Sequence, residues 1–176
     1  KYKNRLQIFF VVILVLGLTC INVFGFLGFG STEKWKEEVK LSDRRVIVVE
    51  RKIENERVAD DRSLTGGLKP KEDYIWFDIN GSGKMIEWRM IKESPRTFPE
   101  IPLILDLENG QPVIYTLVGV RPACEAYNKY VYRNGAWVEE KLPEKFEPRA
   151  RNLFVRGKDD IPEFVNLEIK RKINEN

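Results

Sequence analysis

The sequence contains no histidine among its 176 residues. Histidine is the side chain that most often serves as a general base, as a metal ligand and as the partner of a serine or cysteine nucleophile. An enzyme built from this chain would therefore depend on other groups. We assign no catalytic residue and expect the protein to be non-catalytic, without a cofactor.

Cysteine is almost as scarce, with only Cys20 and Cys124. Cys20 lies in an apolar run near the start of the chain and Cys124 in the polar remainder, so the two are not expected to pair. The chain therefore offers no disulfide framework. Because the sequence places no base beside Cys124, we interpret it as a small buried apolar residue rather than a nucleophile.

Charge is missing from one long stretch, Leu6–Phe29, which holds no acidic or basic residue. A helix of this length crosses the hydrocarbon layer of a bilayer, which is about 30 Å thick. A cleaved secretory signal has a shorter apolar region of about 7–15 residues. We predict a transmembrane helix at 6–29 that anchors the protein in the lipid bilayer.

The soluble remainder is formally neutral. The chain has 30 basic and 27 acidic residues, and Lys1, Lys3 and Arg5 precede the apolar run, which leaves 27 bases against 27 acids beyond it. A nucleic-acid-binding domain needs a basic surface to contact phosphates. Nucleic acid is therefore not an expected partner.

The basic flank at residues 1–5 predicts the orientation of the span. Basic residues beside a span are retained in the cytoplasm, although Lys34, Lys36 and Lys40 follow this span closely. We predict a single-pass protein of the inner (cytoplasmic) membrane, in which residues 30–176 form an extracytoplasmic, periplasmic domain.

Residues 30–176 contain four pairs of β-rich segments, each joined by a short turn. The pairs are Trp35–Leu41 with Val46–Lys52, Tyr74–Ile79 with Lys84–Ile91, Leu103–Glu108 with Gln111–Leu117, and Tyr130–Arg133 with Ala136–Glu139. Asn-Gly dipeptides, which favour tight hairpin turns, join the last two pairs. Four hairpins predict a mainly β fold, either an antiparallel β-sandwich or a small open barrel.

Alternation along the first two hairpins predicts which side chains share a face. In the first hairpin the apolar residues expected on one face are Val39, Leu41, Val46 and Val48. In the second, a register that sets Ile79 opposite Lys84 gives a core face and a mixed face. The core face holds Ile75, Phe77, Ile86 and Trp88, and the mixed face holds Tyr74, Trp76, Asp78, Met85, Glu87 and Arg89.

Three other segments are less regular. Residues 57–73 are polar, contain Gly-Gly and Lys-Pro, and are interpreted as a loop. Residues 122–129 are expected to contain a helical turn. Residues 161–173 fit either a strand or a short helix.

The stretch Asp78–Met85, DINGSGKM, is the most motif-like part of the chain. A phosphate-binding loop would need glycine at Asp78 and a hydroxyl residue at Met85. Asp78, Asn80 and Ser82 are candidate metal ligands, since they match the first, third and fifth places of a calcium loop, but Arg89 stands where a glutamate should close that loop. Asn80 to Ser82 also forms a glycosylation sequon. The flanking alternation favours a turn between two strands.

Two groups of side chains are candidates for binding or catalysis. A sheet face with Tyr74, Trp76 and Arg89 is a possible interaction face that could receive a partner protein or stack on a sugar, unless a second sheet covers it. A histidine-free hydrolase would instead pair two carboxylates as acid and base. The carboxylates available for such a pair are Asp78, Asp106, Glu108 and Glu125.

Two stretches of the sequence are similar to a known group of proteins. They are WKEEVKLSDRRVIVVER, from Trp35, and CEAYNKYVYRNGAWVEEKLP, from Cys124. They resemble small bacterial, mainly proteobacterial, envelope proteins of unassigned function. In that group the turn of the first hairpin often reads Asp-Gly-Arg, whereas Arg44 stands here in place of the glycine. The resemblance implies an envelope location and no particular activity.

The sequence thus leads to one principal hypothesis and two alternatives. The principal one is a membrane-anchored, non-catalytic envelope protein, an accessory or interaction subunit whose partners are the bilayer and other membrane or envelope proteins. The alternatives are a glycan-binding domain that uses exposed aromatic residues and a carboxylate-dependent hydrolase.

The predicted orientation can be tested with a protease added to intact spheroplasts. Because the basic flank should keep the N-terminus in the cytoplasm, we expect digestion of the chain beyond Ser31, detected by a C-terminal tag. Protection of the tag in sealed cells, with digestion only after lysis, would reverse the orientation.

Overall fold

A computed structural model describes the chain over residues 30–60, 63–91, 99–118, 126–142, 151–155 and 161–174. The predicted span at 6–29, its basic flank and both cysteines lie outside these residues. Within the described ranges, no helix has the combination of length and apolar character that crossing a membrane requires.

The described chain is mainly β-structure. Its elements are β1 (Thr32–Lys40), β2 (Val46–Asp60), β3 (Ser63–Phe77), β4 (Ile86–Ile91), β5 (Ile101–Glu108), β6 (Gln111–Val118), β7 (Ala126–Arg133), β8 (Ala136–Glu140), β9 (Phe164–Val165) and the helix α1 (Leu167–Asn174). Sheet A has the strand order β4-β3-β2-β1-β9, and sheet B has the order β5-β6-β7-β8. The expected mainly β, sandwich-like fold is confirmed.

Contacts within the chain separate two units. One unit takes residues 32–55 and 69–176, and the other takes residues 1–31 and 56–68. The described part of the second unit is chiefly the far end of the β2–β3 hairpin. Every cluster and surface discussed below belongs to the first unit.

The two Asn-Gly hairpins form as predicted. The φ angles are 51° and 76° at Asn109 and Gly110, and 51° and 84° at Asn134 and Gly135. Positive φ at both central residues defines a type I′ turn, whose twist matches that of the flanking strands.

The first hairpin forms around a three-residue loop rather than the expected four-residue turn. The N–H of Leu41 donates to the carbonyl of Arg45 at 2.8 Å, and Lys40 lies opposite Val46. Arg44, the last loop residue, has a φ of 74°. This is the left-handed position of three-residue hairpin loops, which glycine adopts most readily.

Because the loop is shorter than expected, different residues of β2 point inward from those that were predicted. The prediction placed Val46 and Val48 on the same face as Val39 and Leu41, whereas both are about half exposed, and Ile47 and Val49 point inward instead. Val39 lies opposite Ile47. Shortening the loop by one residue shifts the register, and a shift of one residue turns every side chain to the other face.

The second hairpin has the predicted register. Ile75 lies opposite Trp88, and Phe77 lies opposite Ile86. Ile75, Phe77 and Trp88 are buried, and Ile86 packs against the same core.

The prediction of a loop at 57–73 is wrong. Residues 57–60 and 63–73 belong to β2 and β3, which pair with each other. An antiparallel ribbon is held by backbone hydrogen bonds, so its strands need no alternation of apolar and polar residues. The absence of that alternation made the segment resemble a loop.

Two further segments show how tertiary pairing decides local structure. The helical turn expected at 122–129 is absent from its described part, because β7 begins at Ala126 and pairs there with β6. Residues 161–173 contain both alternatives, the short strand β9 and the helix α1. Asn166 caps this helix by accepting the N–H of Ile169 at 2.8 Å.

Apolar clusters lie on both sides of sheet B and at the β9 edge of sheet A. The cluster between the sheets contains Val39, Leu41, Val49, Ile75, Phe77, Ile79, Trp88, Leu105, Ile114 and Leu153. The cluster on the other side of sheet B contains Leu103, Ile104, Val113, Tyr115 and Val131. The cluster near β9 contains Trp35, Ile53, Phe154 and Val165.

Asn152 joins the two sheets. Its side-chain amide donates to the carbonyl of Lys40 in sheet A at 3.0 Å and to that of Leu105 in sheet B at 2.7 Å. Its side-chain oxygen accepts the N–H of Leu105 at 2.9 Å. A single polar side chain thus satisfies backbone groups of β5 and fixes the segment 151–155 against both sheets.

A buried charge cluster lies on the inner face of sheet A and is formed by Arg51, Glu37, Asp73 and Lys170. Arg51 donates to Glu37 at 2.9 Å and to both oxygens of Asp73 at 3.2 Å. The second oxygen of Glu37 accepts the N–H of Phe154 at 2.7 Å and forms an ion pair with Lys170. Two cations and two carboxylates therefore compensate one another away from water.

Burial and pairing act in opposite directions on these groups. Burial raises the pKa of the Asp73 carboxyl, although Arg51 opposes this shift. Burial likewise lowers the pKa of Lys170, against the attraction of Glu37. Arginine keeps its charge in proteins, so the two carboxylates are needed to compensate Arg51.

Substituting Glu37 by glutamine should strongly destabilise the domain. The substitution leaves the buried cations Arg51 and Lys170 with one carboxylate, and breaking such a cluster costs about 3–5 kcal/mol of unfolding free energy. Urea unfolding of the full chain in a mild detergent measures the change.

Glu50→Gln is the matched control. Glu50 lies opposite Lys36 on the same two strands and forms an exposed ion pair with it, which is worth about 1 kcal/mol or less. Equal losses in the two variants would show that burial of the cluster does not set its contribution.

Candidate functional site

An open groove of about 760 Å³ crosses the outer face of sheet A. We call it the outer groove. Its floor carries the side chains of Lys34, Lys36, Glu50 and Lys52, one wall has Trp76 with Met85, and the other has Phe164 with Glu163. The floor belongs to the two central strands β1 and β2, and the walls belong to β9 on one side and to β3 and the loop before β4 on the other.

Strand alternation explains why charged residues form the floor. Trp35, Glu37 and Arg51 point inward and are buried. Their neighbours along β1 and β2 must then point outward, since successive side chains of a strand alternate. The buried charge cluster and the floor of the groove therefore come from alternate residues of the same two strands.

The strand register sets the order of residues across the groove. Lys36 lies opposite Glu50 on one side and opposite Phe164 on the other. The next outward position along β1 is Lys34, which lies opposite Lys52. The N–H of Lys36 donates to the carbonyl of Glu163 at 2.8 Å. This hydrogen bond holds the neighbouring residue, Phe164, beside β1.

The floor has more positive than negative charge. Lys36 pairs with Glu50 at 2.8 Å, and Lys52 pairs with Glu54 at 2.7 Å. The hydrogen bond from Lys52 to Glu54 raises the pKa of the lysine. Lys34 forms no ion pair with another residue in the described part of the chain.

The three residues of the predicted interaction face, Tyr74, Trp76 and Arg89, do come together. Tyr74 stacks on Trp76 with ring centroids 5.2 Å apart, and the Arg89 guanidinium lies 5.2 Å from the Tyr74 ring. Lys52 covers the Tyr74 ring at 3.7 Å. Tyr74 is only 9% exposed, so Trp76 is the aromatic residue of this cluster that borders the groove.

Glu72 holds this cluster in place. It accepts the hydroxyl of Tyr74 and two guanidinium N–H groups of Arg89, at 2.6 and 3.0 Å. The hydrogen bond from Tyr74, together with Arg89, lowers the pKa of Glu72 to about 2. The carboxylate therefore stays ionised throughout the physiological range and orients both partners.

Sheet B does not cover this face of sheet A. Sheet B packs on the opposite face of sheet A, where Trp88 meets Tyr130 with ring centroids 6.4 Å apart. The indole N–H of Trp137 also donates to the carbonyl of Glu87 at 2.6 Å.

The carboxylate of Asp78 closes the loop between β3 and β4. It accepts the backbone N–H groups of Asn80, at 3.1 Å, and of Gly83. Burial would raise the pKa of Asp78, but the bonds from Gly83 and Asn80 outweigh it and hold the pKa below its usual value. Gly81 and Gly83 have φ angles of 67° and 80°, which glycine tolerates without strain.

The candidate catalytic carboxylates have separate structural partners. Asp106 accepts the N–H groups of Ser42 and Leu107, at 2.9 and 2.8 Å. Glu108 accepts the Tyr115 hydroxyl at 2.6 Å. Together with Asp78 these residues serve turns and strands, and Glu125 lies outside the described residues.

Glu100, which no sequence pattern singles out, lies in a polar cluster. Its carboxylate accepts hydrogen bonds from Thr116, Asn128 and Tyr130. Burial, with the nearby charge of Glu100, raises the pKa of the Tyr130 hydroxyl. The oxygens of Glu100 are used by three neighbouring side chains, so we assign it a structural role.

Metal binding finds no support among the described residues. No group of three or more cysteine, aspartate or glutamate side chains in the described ranges could hold a metal ion. Asn80 and Ser82, the other two candidate ligands, are exposed in the loop that Asp78 closes.

Comparisons with protein-family models, with curated proteins and with solved structures give no match to this chain.

The role of Asp78 as a loop cap predicts its response to calcium and to pH. Calcium at millimolar concentration should leave the melting temperature unchanged, whereas Asp78→Ala should lower it at neutral pH. A depressed pKa means that the carboxylate stabilises the fold at neutral pH and loses this effect as the pH falls through the folded-state value. The difference between variant and parent should therefore shrink in acid.

Thermal scans with calcium, magnesium or chelator present would test both points. A calcium-specific rise in melting temperature that disappears in Asp78→Ala would mean that the loop binds the ion and stabilises the folded state by mass action.

Proposed function

We propose that the protein is a membrane-anchored, non-catalytic envelope protein whose extracytoplasmic β-sandwich binds another protein at the outer groove. In this role it is an accessory or interaction subunit of a membrane complex. The predicted span at 6–29 supplies the anchor, and residues 30–176 supply the binding domain.

One observation supports this proposal above all. The outer face of sheet A, which sheet B leaves uncovered, carries a groove with exposed apolar side chains on its walls. Met85 is 49% exposed and Phe164 is 43% exposed, with charged residues between them. Val46 and Val48, each about half exposed, extend the apolar surface along β2. Exposed apolar groups with a polar surround are typical of surfaces that bind other proteins.

The arrangement of side chains favours a protein partner over a sugar. A sugar-binding platform needs an aromatic ring with a free face. Tyr74 is buried beneath Lys52 and itself covers one face of the Trp76 ring, with centroids 5.2 Å apart. Of the remaining apolar positions, Met85 has no ring, and Phe164 stands on the opposite wall from Trp76.

The carboxylate-dependent hydrolase is also less well supported. Such an enzyme needs two carboxyl groups facing each other across a cleft. The outer groove has two carboxylates, Glu50 on the floor, which pairs with Lys36, and Glu163 on one wall. The candidate carboxylates from the sequence serve as structural acceptors elsewhere.

The position of the groove along the chain fits an anchored protein. β1 begins at Thr32, directly after the predicted span, and its first outward lysine in the groove is Lys34. A span at 6–29 would therefore join the chain to the bilayer only two residues before β1.

Site-specific photo-crosslinking in cells tests the proposal. A photoreactive amino acid placed at Met85 should give an adduct of discrete mass with a neighbouring protein, and Trp76→Ala in the same chain should weaken it. The matched control position is Val138 on β8, which is 46% exposed and distant in sequence from the groove. Absence of an adduct at Met85, or the same adducts from both positions, would contradict the proposed function.

A further inference from the structure

The width of the outer groove restricts what can lie in it. Its apolar walls stand on β9, at Phe164, and on β3, at Trp76, with β1 and β2 between them. Neighbouring strands are about 4.8 Å apart, so the backbones that carry the two walls are separated by about 14 Å. An α-helix with its side chains has a diameter of about 10–12 Å. A helix lying along the strands therefore fills the space between the walls.

An extended peptide fits this place less well. Strand addition needs a free sheet edge, where the backbone of the peptide finds hydrogen-bonding partners. The floor of the groove is the face of β1 and β2. β2 pairs with β1 and β3, and β9 pairs with β1 at Lys36 and Glu37. The face of a sheet, unlike its edge, offers no unpaired backbone groups. The occupant must therefore bind through side chains, as a helix in a groove does.

The charge of the floor indicates the polar residues of the occupant. Three lysines, Lys34, Lys36 and Lys52, face the groove. Lys36 pairs with Glu50 and Lys52 with Glu54, and a further acid, Glu163, lies on one wall. Lys34 forms no ion pair within the described residues. A carboxylate of the occupant above Lys34 would give this lysine an acidic partner.

The spacing of the lysines matches a helical repeat. Lys34 and Lys36 are two residues apart on β1, which corresponds to about 6.7 Å along the strand. Residues four apart on a helix are separated by about 6 Å along its axis. Two acidic residues at positions i and i+4 can thus face Lys34 and Lys36 together.

From these observations we infer that the outer groove binds an amphipathic helix of a partner protein, with two acidic residues four apart over Lys34 and Lys36 and apolar residues against Phe164 and Trp76. This inference rests on the proposed function and specifies the chemistry of the partner.

A synthetic helix tests the inference on the full chain in detergent micelles. The probe is a fluorescent, alanine-based helical peptide with two glutamates at i and i+4 flanked by leucines, and the matched peptide has glutamine in place of both glutamates. Exposed charge pairs contribute modestly, so we expect the acidic peptide to bind about three- to tenfold more tightly in anisotropy titrations. Added salt should reduce the difference.

Protein variants show whether the preference comes from the groove. Lys34→Gln should remove most of the preference for the acidic peptide, whereas Lys141→Gln, at an exposed lysine beyond β8, should preserve it. Phe164→Ala should weaken both peptides. Unchanged melting temperatures would establish that each variant is folded.

The outcomes separate the inference from the proposed function. If neither peptide binds but the Met85 adduct forms in cells, the helical partner is wrong and the binding function stands. If both peptides bind equally well, the acidic character is wrong. If the Met85 adduct is absent, the proposed function and the inference fail together.

Discussion

The ion pair between Arg51 and Glu37 is the interaction on which the rest of this domain depends. Arg51 is 3% exposed and keeps its charge, so the fold must surround it with carboxylates. Glu37 satisfies this need with one oxygen and uses the other to hold the backbone of Phe154 and the ammonium of Lys170. The segment 151–155 and the helix α1 are thereby tied to the first two strands.

The same cluster determines the shape of the outer groove. Inward charges at Glu37 and Arg51 require their neighbours Lys36 and Lys52 to face outward, and these lysines form part of the floor. Phe164 belongs to a strand of only two residues, which is too short to be stable by pairing alone. Its position depends on Lys170 in the following helix, which also donates to the carbonyls of Glu38 and Asn152, each at 2.6 Å.

Local sequence predicts the parts of the fold that are local. The Asn-Gly turns at Asn109 and Asn134 and the register of the second hairpin follow from turn chemistry and alternation between neighbouring segments. The first hairpin shows the limit of this reasoning, because Arg44 adopts a backbone conformation that its residue type does not signal. For the site, alternation identified Trp76 and its neighbours but not Phe164, since β9 joins β1 from the far end of the chain. Asn152 was missed for the same reason, as its partners lie in two different sheets.

The placement of α1 has a consequence for synthesis. Glu37 lies on β1 and leaves the ribosome well before Lys170, which follows on α1. Until then the first strand has a charged inner face without its full set of partners, and long-range pairing of this kind forms slowly. The sandwich therefore reaches its final form only after α1 has been made, and a chain that stops before α1 would keep an uncompensated charge set that quality-control proteases can recognise as unfolded.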